Sequence, residues 1–197
     1  KDTVFTFHDR QKTIFSGNDS VANGKFHVSF VVPYDLSYGG SGQVLAFAKS
    51  DDLATIAHGC TDAIVLGDGD IQKTDTVGPK IFCYLNSPEF VNGDDVNTSP
   101  YFVAQLSDDS GINATGNGVG HNLELVVDGD ANKTYDLNDN FAYDFASHTA
   151  GTTSYTLPTL EPGTHTLRFR AWDTMNNSST AMLSFNVVKS IKPRIYN

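Results

Sequence analysis

The chain has 197 residues, with 13 Lys and Arg against 23 Asp and Glu, so its formal net charge is −10. An acidic chain without a run of basic residues is excluded as a nucleic-acid-binding protein, which needs positive charge against the phosphates. Its longest apolar stretches fall far short of the roughly 18–20 residues that span a bilayer, so no direct membrane insertion is expected.

The composition points to an extracytoplasmic β protein. Charged residues make up 18% and aromatic residues 11% of the chain, while Thr, Ser, Asn, Asp and Gly are abundant. Two cysteines, Cys60 and Cys83, are too few for a disulfide scaffold and do not form a CxxC pair; the sequence leaves open whether they are bridged. Because the chain begins at Lys1 without a signal-peptide pattern, and 191–197 reads as the start of a next segment, we expect it to be part of a longer polypeptide.

Alternating apolar and polar residues predict strands throughout, whereas no window shows sustained helical periodicity. In the first part of the chain the predicted strands are 3–8, 12–15, 25–32, 43–49 and 61–66. They are separated by segments rich in Gly, Asn and Asp, which is turn chemistry. We interpret 1–70 as one β-sandwich module. Five strands are few for a sandwich, so further strands upstream of Lys1 would complete it.

A polar segment at 71–79 ends in Gly78-Pro79 and is interpreted as a linker, because the residue before a proline favours extended backbone. The region 80–190 is then predicted to be an immunoglobulin-like Greek-key sandwich, since seven short strands fit into it at regular spacing. The predicted strands are 80–86, 101–107, 122–127, 133–137, 152–157, 164–172 and 181–188. One helical turn is expected around 141–145. The fold class is therefore all-β, with two consecutive sandwich modules.

The sequence predicts no catalytic residue. Its six histidines lack the spacing of a zinc motif. A nucleophilic pair is conceivable for Cys60 with His58 or for Cys83 with His121, but catalysis needs a third group that orients the base, and no flanking sequence supplies a peptidase nucleophile region. The apolar strand around Cys83 instead favours a structural thiol.

One acidic segment partly matches a calcium-binding loop. Carboxylates or amides at the ligand positions of such a loop in 128–139 could bind calcium, and these candidates are Asp128, Asp130, Asn132, Asp136 and Asp139. The sharp turn of such a loop needs glycine where Lys133 stands, and its last ligand is normally Glu. A turn between two strands explains the acidity equally, so calcium is the one cofactor that the sequence leaves open.

Two further features have a structural and a binding interpretation. The glycine-rich segment 116–120 resembles a phosphate-binding loop, but a strand follows it where such a loop needs a helix, so we interpret it as a connection. Trp172, the only tryptophan, could be a carbohydrate platform; its position at a strand end favours burial between the sheets.

Several motifs in the same order resemble the β region that follows the peptidase domain in the PorU family. This family comprises gingipain-like cysteine peptidases that act as sortases of the type IX secretion system of Bacteroidetes. The motifs that carry the resemblance lie at 76–79, 106–113, 116–121, 127–130, 135–139, 160–167, 171–173 and 176–179. The region 1–70 resembles the preceding β module more loosely, through 15–17, 23–26 and 30–33.

The resemblance implies a parent protein that cleaves C-terminal sorting domains from secreted cargo at the outer membrane and attaches the cargo to lipopolysaccharide. It places the catalytic Cys and His upstream of Lys1, so this chain is expected to be a non-catalytic scaffold and docking fragment. The implied partners are its own upstream peptidase domain and outer-membrane secretion components, at the cell surface of a Gram-negative bacterium. The alternative is an adhesive or glycan-binding immunoglobulin-like domain, favoured by the acidic composition and the aromatic content.

Overall fold

The computed structural model describes residues 13–34, 41–65, 75–116 and 119–189. Strands dominate these residues, and the helical elements among them are two short 3₁₀ turns, Ala131–Lys133 and Asn138–Asn140. The strands are β1 (Ser41–Lys49), β2 (Ile56–Val65), β3 (Lys80–Leu85), β4 (Asp95–Val96), β5 (Tyr101–Ser107), β6 (Glu124–Val127), β7 (Thr134–Asp136), β8 (Ala142–Tyr143), β9 (Ala150–Thr156), β10 (Gly163–Trp172) and β11 (Ser178–Val187). The all-β fold predicted from the alternation is confirmed. In the described part of the chain no helix has the length and hydropathy of a membrane span.

From β3 onward the strands form a sandwich of two sheets. One sheet has the order β3-β5-β9-β8, and the other has the order β4-β11-β10-β6-β7. Every pairing is antiparallel except that of β4 with β11, which is parallel. Immunoglobulin-type sandwiches divide their strands between the two sheets in this manner, as ABED and GFC. The seven strands predicted for this region are all present; the two-residue strands β4 and β8 were not predicted.

The strand β10 shows how the sequence produces the core. Glu161-Pro162-Gly163 turns the chain into the strand, and Gly163 has a φ of 140°, which an L side chain rarely adopts. Alternate residues Leu167 and Phe169 then point inward and are 1% exposed. Phe169 packs on Phe102 of β5 across the sandwich, with ring centroids 5.3 Å apart. Each such side chain contributes about 1.5–3 kcal/mol by leaving water.

The prediction of a helical turn around 141–145 is wrong. Phe141 ends a 3₁₀ turn, and the next two residues form β8, in which Ala142 pairs with Thr152 of β9. Two contacts hold the chain extended here. The Phe141 and Tyr143 rings meet edge-on at 4.9 Å, and the Tyr143 hydroxyl donates to the Ile112 carbonyl at 2.6 Å.

The first part of the chain is less complete than the second. The strands β1 and β2 pair as an antiparallel hairpin, in agreement with the strands predicted at 43–49 and 61–66. The predicted strand 25–32 forms no ladder among the described residues beyond the isolated bridge of Lys25 with Ala22, and no ladder includes the described residues of 12–15. Alternation favours an extended conformation, but a strand also needs a neighbour. The predicted strand 3–8 lies outside the described residues.

Residues 13–34 lie against the sandwich. Phe15 stacks on Phe30 at 5.1 Å and contacts the Tyr143 ring at 4.8 Å. The Tyr34 amide donates to the Thr174 carbonyl at 2.8 Å. These contacts join the first part of the chain to the second. The predicted boundaries, 1–70, 71–79, 80–190 and 191–197, stay predictions.

Candidate functional site

Three carboxylates from distant parts of the sequence meet at one end of the sandwich. Asp75 belongs to the predicted linker, Asp108 follows β5, and Asp173 follows β10. One oxygen of each lies within 4.8 Å of the others. Among the His, Cys, Asp and Glu residues that the structure describes, this is the only group of three whose ligand atoms converge so closely. We call these three residues the acidic cluster.

Local turn chemistry positions each member of the acidic cluster. Asp173 accepts from the amides of Met175 at 2.9 Å and Asn177 at 2.7 Å, and from the Asn177 side-chain amide at 2.7 Å. Asp108 accepts from the Ser110 amide at 2.8 Å. Both are turns in which an Asp side chain accepts a hydrogen bond from an amide two residues on. Because Asp173 is 0% exposed, its turn is a buried structural element.

Asp75 connects the linker to this end of the sandwich. Its carboxylate accepts from the Val77 amide at 2.9 Å and from the Ser110 hydroxyl. Its backbone carbonyl accepts from the Asn177 side chain at 3.3 Å. The linker is therefore bonded to both of the turns that carry the other two carboxylates.

Burial, together with the crowding of like charges, raises the proton affinity of Asp108 in the acidic cluster. Desolvation, opposed by the Ser110 amide and reinforced by the charges of Asp173 and Asp75, raises the pKa of Asp108 to about 6. Carboxylates placed together cannot all ionise cheaply, so one retains its proton at mildly acidic pH. Carboxylate oxygens are also the ligands that calcium takes, but here the hydrogen bonds to the turns already account for the arrangement.

We expect Asp108→Asn to stabilise the protein at pH 7. A carboxyl whose pKa is raised by folding stabilises the folded state fully at pH values below its pKa in the unfolded chain, near 3.9. This stabilisation is lost as the pH rises through the folded-state pKa, which is about 6 for Asp108. The uncharged amide should therefore raise the free energy of unfolding at pH 7 and change it little at pH 4. The expected gain at pH 7 is only about 1 kcal/mol, because water still reaches the group and screens its charge. Urea unfolding at both pH values measures this. Asp62→Asn, at an exposed position on β2, is the charge-matched control; a loss of stability in Asp108→Asn at pH 7 would contradict the expectation.

The structure places the predicted calcium residues at turns and gives most of them protein partners. Asp130 accepts from the Asn132 backbone and side-chain amides at 2.9 and 3.1 Å, and Asp136 accepts from the Asn138 amide at 3.0 Å. Asp139 lies in the second 3₁₀ turn. No three of the four candidate carboxylates in this described segment converge as the acidic cluster does. The sequence leaves calcium binding open at this segment, and these hydrogen bonds do not test it.

Millimolar calcium tests whether this segment binds the ion, since extracellular calcium modules bind in the range of about 10⁻⁴–10⁻³ M. Because turn formation already explains the hydrogen bonds of Asp130 and Asp136, we expect 5 mM calcium, roughly saturating for such a module, to leave the melting temperature unchanged. A rise that Asp130→Ala plus Asp139→Ala abolishes, and that magnesium does not reproduce, would instead establish a calcium loop.

Asp128 has a different role from the other calcium candidates. Its carboxylate lies 2.8 Å from Nδ1 of His165 and accepts from the Thr166 amide at 3.0 Å. The other ring nitrogen, Nε2, lies 2.8 Å from the Glu161 carbonyl. Both acceptors lack protons to give, so the ring donates from both nitrogens as imidazolium. This pair joins the turn after β6 to the turn before β10.

The Asp128–His165 pair makes stability depend on pH in a known direction. Burial alone would lower the pKa of His165, but the bonds to Asp128 and Glu161 outweigh it and raise that pKa. The stabilisation is therefore fully present below the ordinary histidine pKa near 6.5 and is lost as the pH rises through the raised value. We expect His165→Gln to cost about 1–2 kcal/mol at pH 5.5 and less at pH 9, measured by urea unfolding. His58→Gln, at an exposed position, should cost nothing at either pH; equal losses for His165→Gln at both would contradict the imidazolium assignment.

The two cysteines lie in different surroundings. Both are free, Cys60 exposed on β2 and Cys83 half-buried on β3. Desolvation raises the pKa of Cys83 to about 11, which leaves little of the thiolate that nucleophilic chemistry requires. His121, the partner considered for Cys83, lies against Trp172, with ring centroids 4.0 Å apart and the ring planes tilted by 36°.

The expectation that Trp172 is buried between the sheets is wrong. Leu167, Phe169 and Ala171 occupy the inner face of β10, so the strand places Trp172 on the outer face. There it is half-buried, with the Arg170 guanidinium 5.6 Å from its ring centre. Its ring is covered by neighbouring side chains and does not form an open platform.

The aromatic residues on the outer face of β3 bear on the glycan-binding alternative. Phe82 is 52% exposed, and the Tyr84 ring lies 5.6 Å from it at an interplanar angle of 50°. A flat sugar-binding platform would need nearly coplanar rings. This pair does not provide one, and glycan binding stays a prediction.

Comparison with known proteins relates the chain to one solved structure in particular. Neither a protein-family model nor a curated protein matches it significantly. Among solved structures, the dimeric latent PorU from Porphyromonas gingivalis matches 83% of the chain with 38% identity and a TM-score of 0.59. The match spans 16% of the PorU chain, so this sequence corresponds to a small part of that protein.

Two other solved structures share only a distant likeness. An endo-β-1,4-mannanase from Thermotoga petrophila matches 56% of this chain and 20% of its own, with 11% identity and a TM-score of 0.36. CopC from Methylosinus trichosporium OB3b matches 53% of this chain and 92% of its own, with 15% identity and a TM-score of 0.31. Neither supports an argument about function. The resemblance seen in the sequence motifs is confirmed by the PorU match: the chain is a PorU-like β region.

Proposed function

We propose that this chain is a non-catalytic scaffold and docking region of a gingipain-like cysteine peptidase that acts as a sortase of type IX secretion. The observation that carries the proposal is the 38% identity to PorU over 83% of the chain, combined with the small share, 16%, of PorU that it spans. A region of this size supplies one part of a larger polypeptide. In this proposal the parent cleaves C-terminal sorting domains from secreted cargo.

The chemistry of the described residues supports a structural role for this region. The half-buried Cys83 has its pKa raised to about 11, opposite in direction to an activated nucleophile. The acidic cluster joins a linker to two turns and brings no thiol or histidine into its group of three. We therefore assign catalysis to a peptidase domain outside these residues.

The same proposal covers location and partners. The parent would act outside the cytoplasm, at the outer-membrane surface of a Gram-negative bacterium, and this region would contact its own upstream peptidase domain and outer-membrane secretion components. The net charge of −10 gives no basis for binding nucleic acid or an anionic membrane surface.

Two measurements test the proposal. The purified 197-residue chain should not hydrolyse peptide substrates, and thiol-dependent hydrolysis that Cys60→Ser or Cys83→Ser removes would overturn it. The complete natural polypeptide should cleave a substrate carrying a C-terminal sorting domain, with a cysteine outside this region as the nucleophile. A natural polypeptide without a cysteine-peptidase domain would also overturn it.

A further inference from the structure

The described part of the chain contains two Asn-Gly pairs, Asn23-Gly24 and Asn92-Gly93. In such a pair the asparagine side chain can react with the backbone nitrogen of the glycine and form a five-membered succinimide ring. Glycine permits this reaction because it has no Cβ that would crowd the attacking nitrogen. Since the reacting groups are the same in both pairs, the structure around each pair decides which of them reacts.

The pair Asn23-Gly24 forms the exposed tip of a two-residue turn. Asn23 and Gly24 have φ of 53° and 73°, as in the type I′ turn that favours Asn-Gly. Only the two backbone bonds between Ala22 and Lys25, at 2.9 and 3.0 Å, close the turn. No hydrogen bond of the described chain involves the Asn23 side chain or the Gly24 amide. A two-stranded turn without a further strand opens readily in water, so the side chain can reach the amide.

The pair Asn92-Gly93 is held at both reacting groups. The Gly93 amide, which would supply the attacking nitrogen, donates to the Ser184 carbonyl at 2.8 Å. The Asn92 side-chain oxygen accepts from the Ser184 amide at 2.9 Å. Ser184 lies in β11, which pairs with β10 along its whole length. Reaction at Asn92 therefore requires bonds to a central part of the sheet to break first.

We propose that Asn23 is a site of spontaneous covalent modification, at which asparagine becomes aspartate or isoaspartate. Hydroxide removes the proton of the Gly24 amide, and the nitrogen attacks Cγ of Asn23. A C–N bond forms, the bond from Cγ to Nδ2 breaks, and Nδ2 leaves as ammonia after taking a proton from water. Water then opens the succinimide at either of its carbonyl groups. Each product carries one added negative charge, and no oxidant or reductant is needed.

The isoaspartate product alters how residues 13–34 lie on the sandwich. In isoaspartate the backbone runs through the former side chain and is longer by a methylene group, so the turn no longer closes with its original bonds. That turn folds the segment back on itself, so that Phe15 stacks on Phe30 at 5.1 Å while it also contacts Tyr143 at 4.8 Å. Loss of the turn therefore weakens the join between the first part of the chain and the second.

Incubation of the 197-residue chain in mildly alkaline buffer, folded and unfolded in guanidinium chloride, tests the proposal. Chymotrypsin separates the two asparagines by cleavage after Phe15, Phe26, Phe90 and Tyr101. Fragment mass spectra then measure the change from amide to carboxyl at each asparagine. Both should convert at similar rates in the unfolded chain. In the folded chain Asn23 should convert within about threefold of its unfolded rate, and Asn92 at least about tenfold more slowly than its own.

The variant Asn23→Gln is the control, because glutamine would have to close a less favourable six-membered ring; it should abolish conversion at position 23 and leave Asn92 unchanged. Protection of Asn23 in the folded chain as strong as that of Asn92, or equal rapid conversion of both, would overturn the proposal. Amide hydrogen exchange tests the effect on packing. The Ala146 amide, which donates to the Asn18 carbonyl at 2.8 Å, should exchange faster in the isoaspartate form than in fresh protein, and unchanged exchange would overturn the proposed loosening.

Discussion

Replacing Asp173 by alanine is expected to lower the free energy of unfolding by about 3 kcal/mol. The side chain is 0% exposed, and its carboxylate accepts from the Met175 and Asn177 amides and from the Asn177 side chain. Alanine would leave these donors without an acceptor, and each buried unsatisfied donor costs about 1–3 kcal/mol. Relief of repulsion toward Asp108 offsets part of this loss. Urea unfolding at pH 7 measures the difference.

The isosteric change Asp173→Asn separates the hydrogen bonds from the charge. Its side-chain oxygen can still accept from the two backbone amides, so we expect a loss of only about 1 kcal/mol. Because the charge of Asp173 helps raise the pKa of Asp108 to about 6, that pKa should fall in this variant. The Ser110 amide, which donates to Asp108 at 2.8 Å, reports the titration by NMR. An unchanged midpoint near 6 would show that the charge of Asp173 does not contribute to the raised pKa of Asp108.

The acidic cluster shows why its members could not be found together from the sequence. Asp75, Asp108 and Asp173 lie in three different connections, and only the folded sandwich brings those connections to one end. Asp108 and Asp75 each have a local signal in the sequence. The side chain of each accepts a hydrogen bond from the amide two residues on, Ser110 and Val77 respectively, which is turn chemistry. That signal predicts turns; it does not predict which turns become neighbours.

The sandwich itself could be predicted well because its signals are local. β5 has the bounds that alternation predicts, and the Pro162-Gly163 turn marks the start of β10. The prediction that Trp172 is buried between the sheets was wrong, although the alternation of Leu167, Phe169 and Ala171 along β10 already puts it on the outer face. The segment 25–32 failed for the opposite reason: its alternation is as clear as that of β5, but no described strand lies beside it.

The linker should lose its place on the sandwich when Gly78 is replaced by alanine. A Cβ at position 78 would lie 2.4 Å from the carbonyl carbon of Ser178 and 2.6 Å from its oxygen. Backbone atoms at the start of β11 cannot move away cheaply, so the linker must shift instead. That shift would strain the bond from the Asn177 side chain to the Asp75 carbonyl. We expect a cost of about 2 kcal/mol, typical of overpacking at a tightly packed position.

Gly59→Ala is the matched control for Gly78→Ala, because a Cβ there would meet no atom within 4 Å; we expect a change within about 0.5 kcal/mol. Thermal unfolding measures stability, and the rate of tryptic cleavage after Lys80 measures release of the linker, which should rise only in Gly78→Ala. Because the linker precedes β3 and bonds to both turns of the acidic cluster, a docked linker fixes the direction in which the preceding residues leave the sandwich. A scaffold that positions a peptidase domain needs that fixed direction. Unchanged stability and unchanged cleavage in Gly78→Ala would mean that the linker is a flexible tether, and the region would then act as a spacer without a defined geometry.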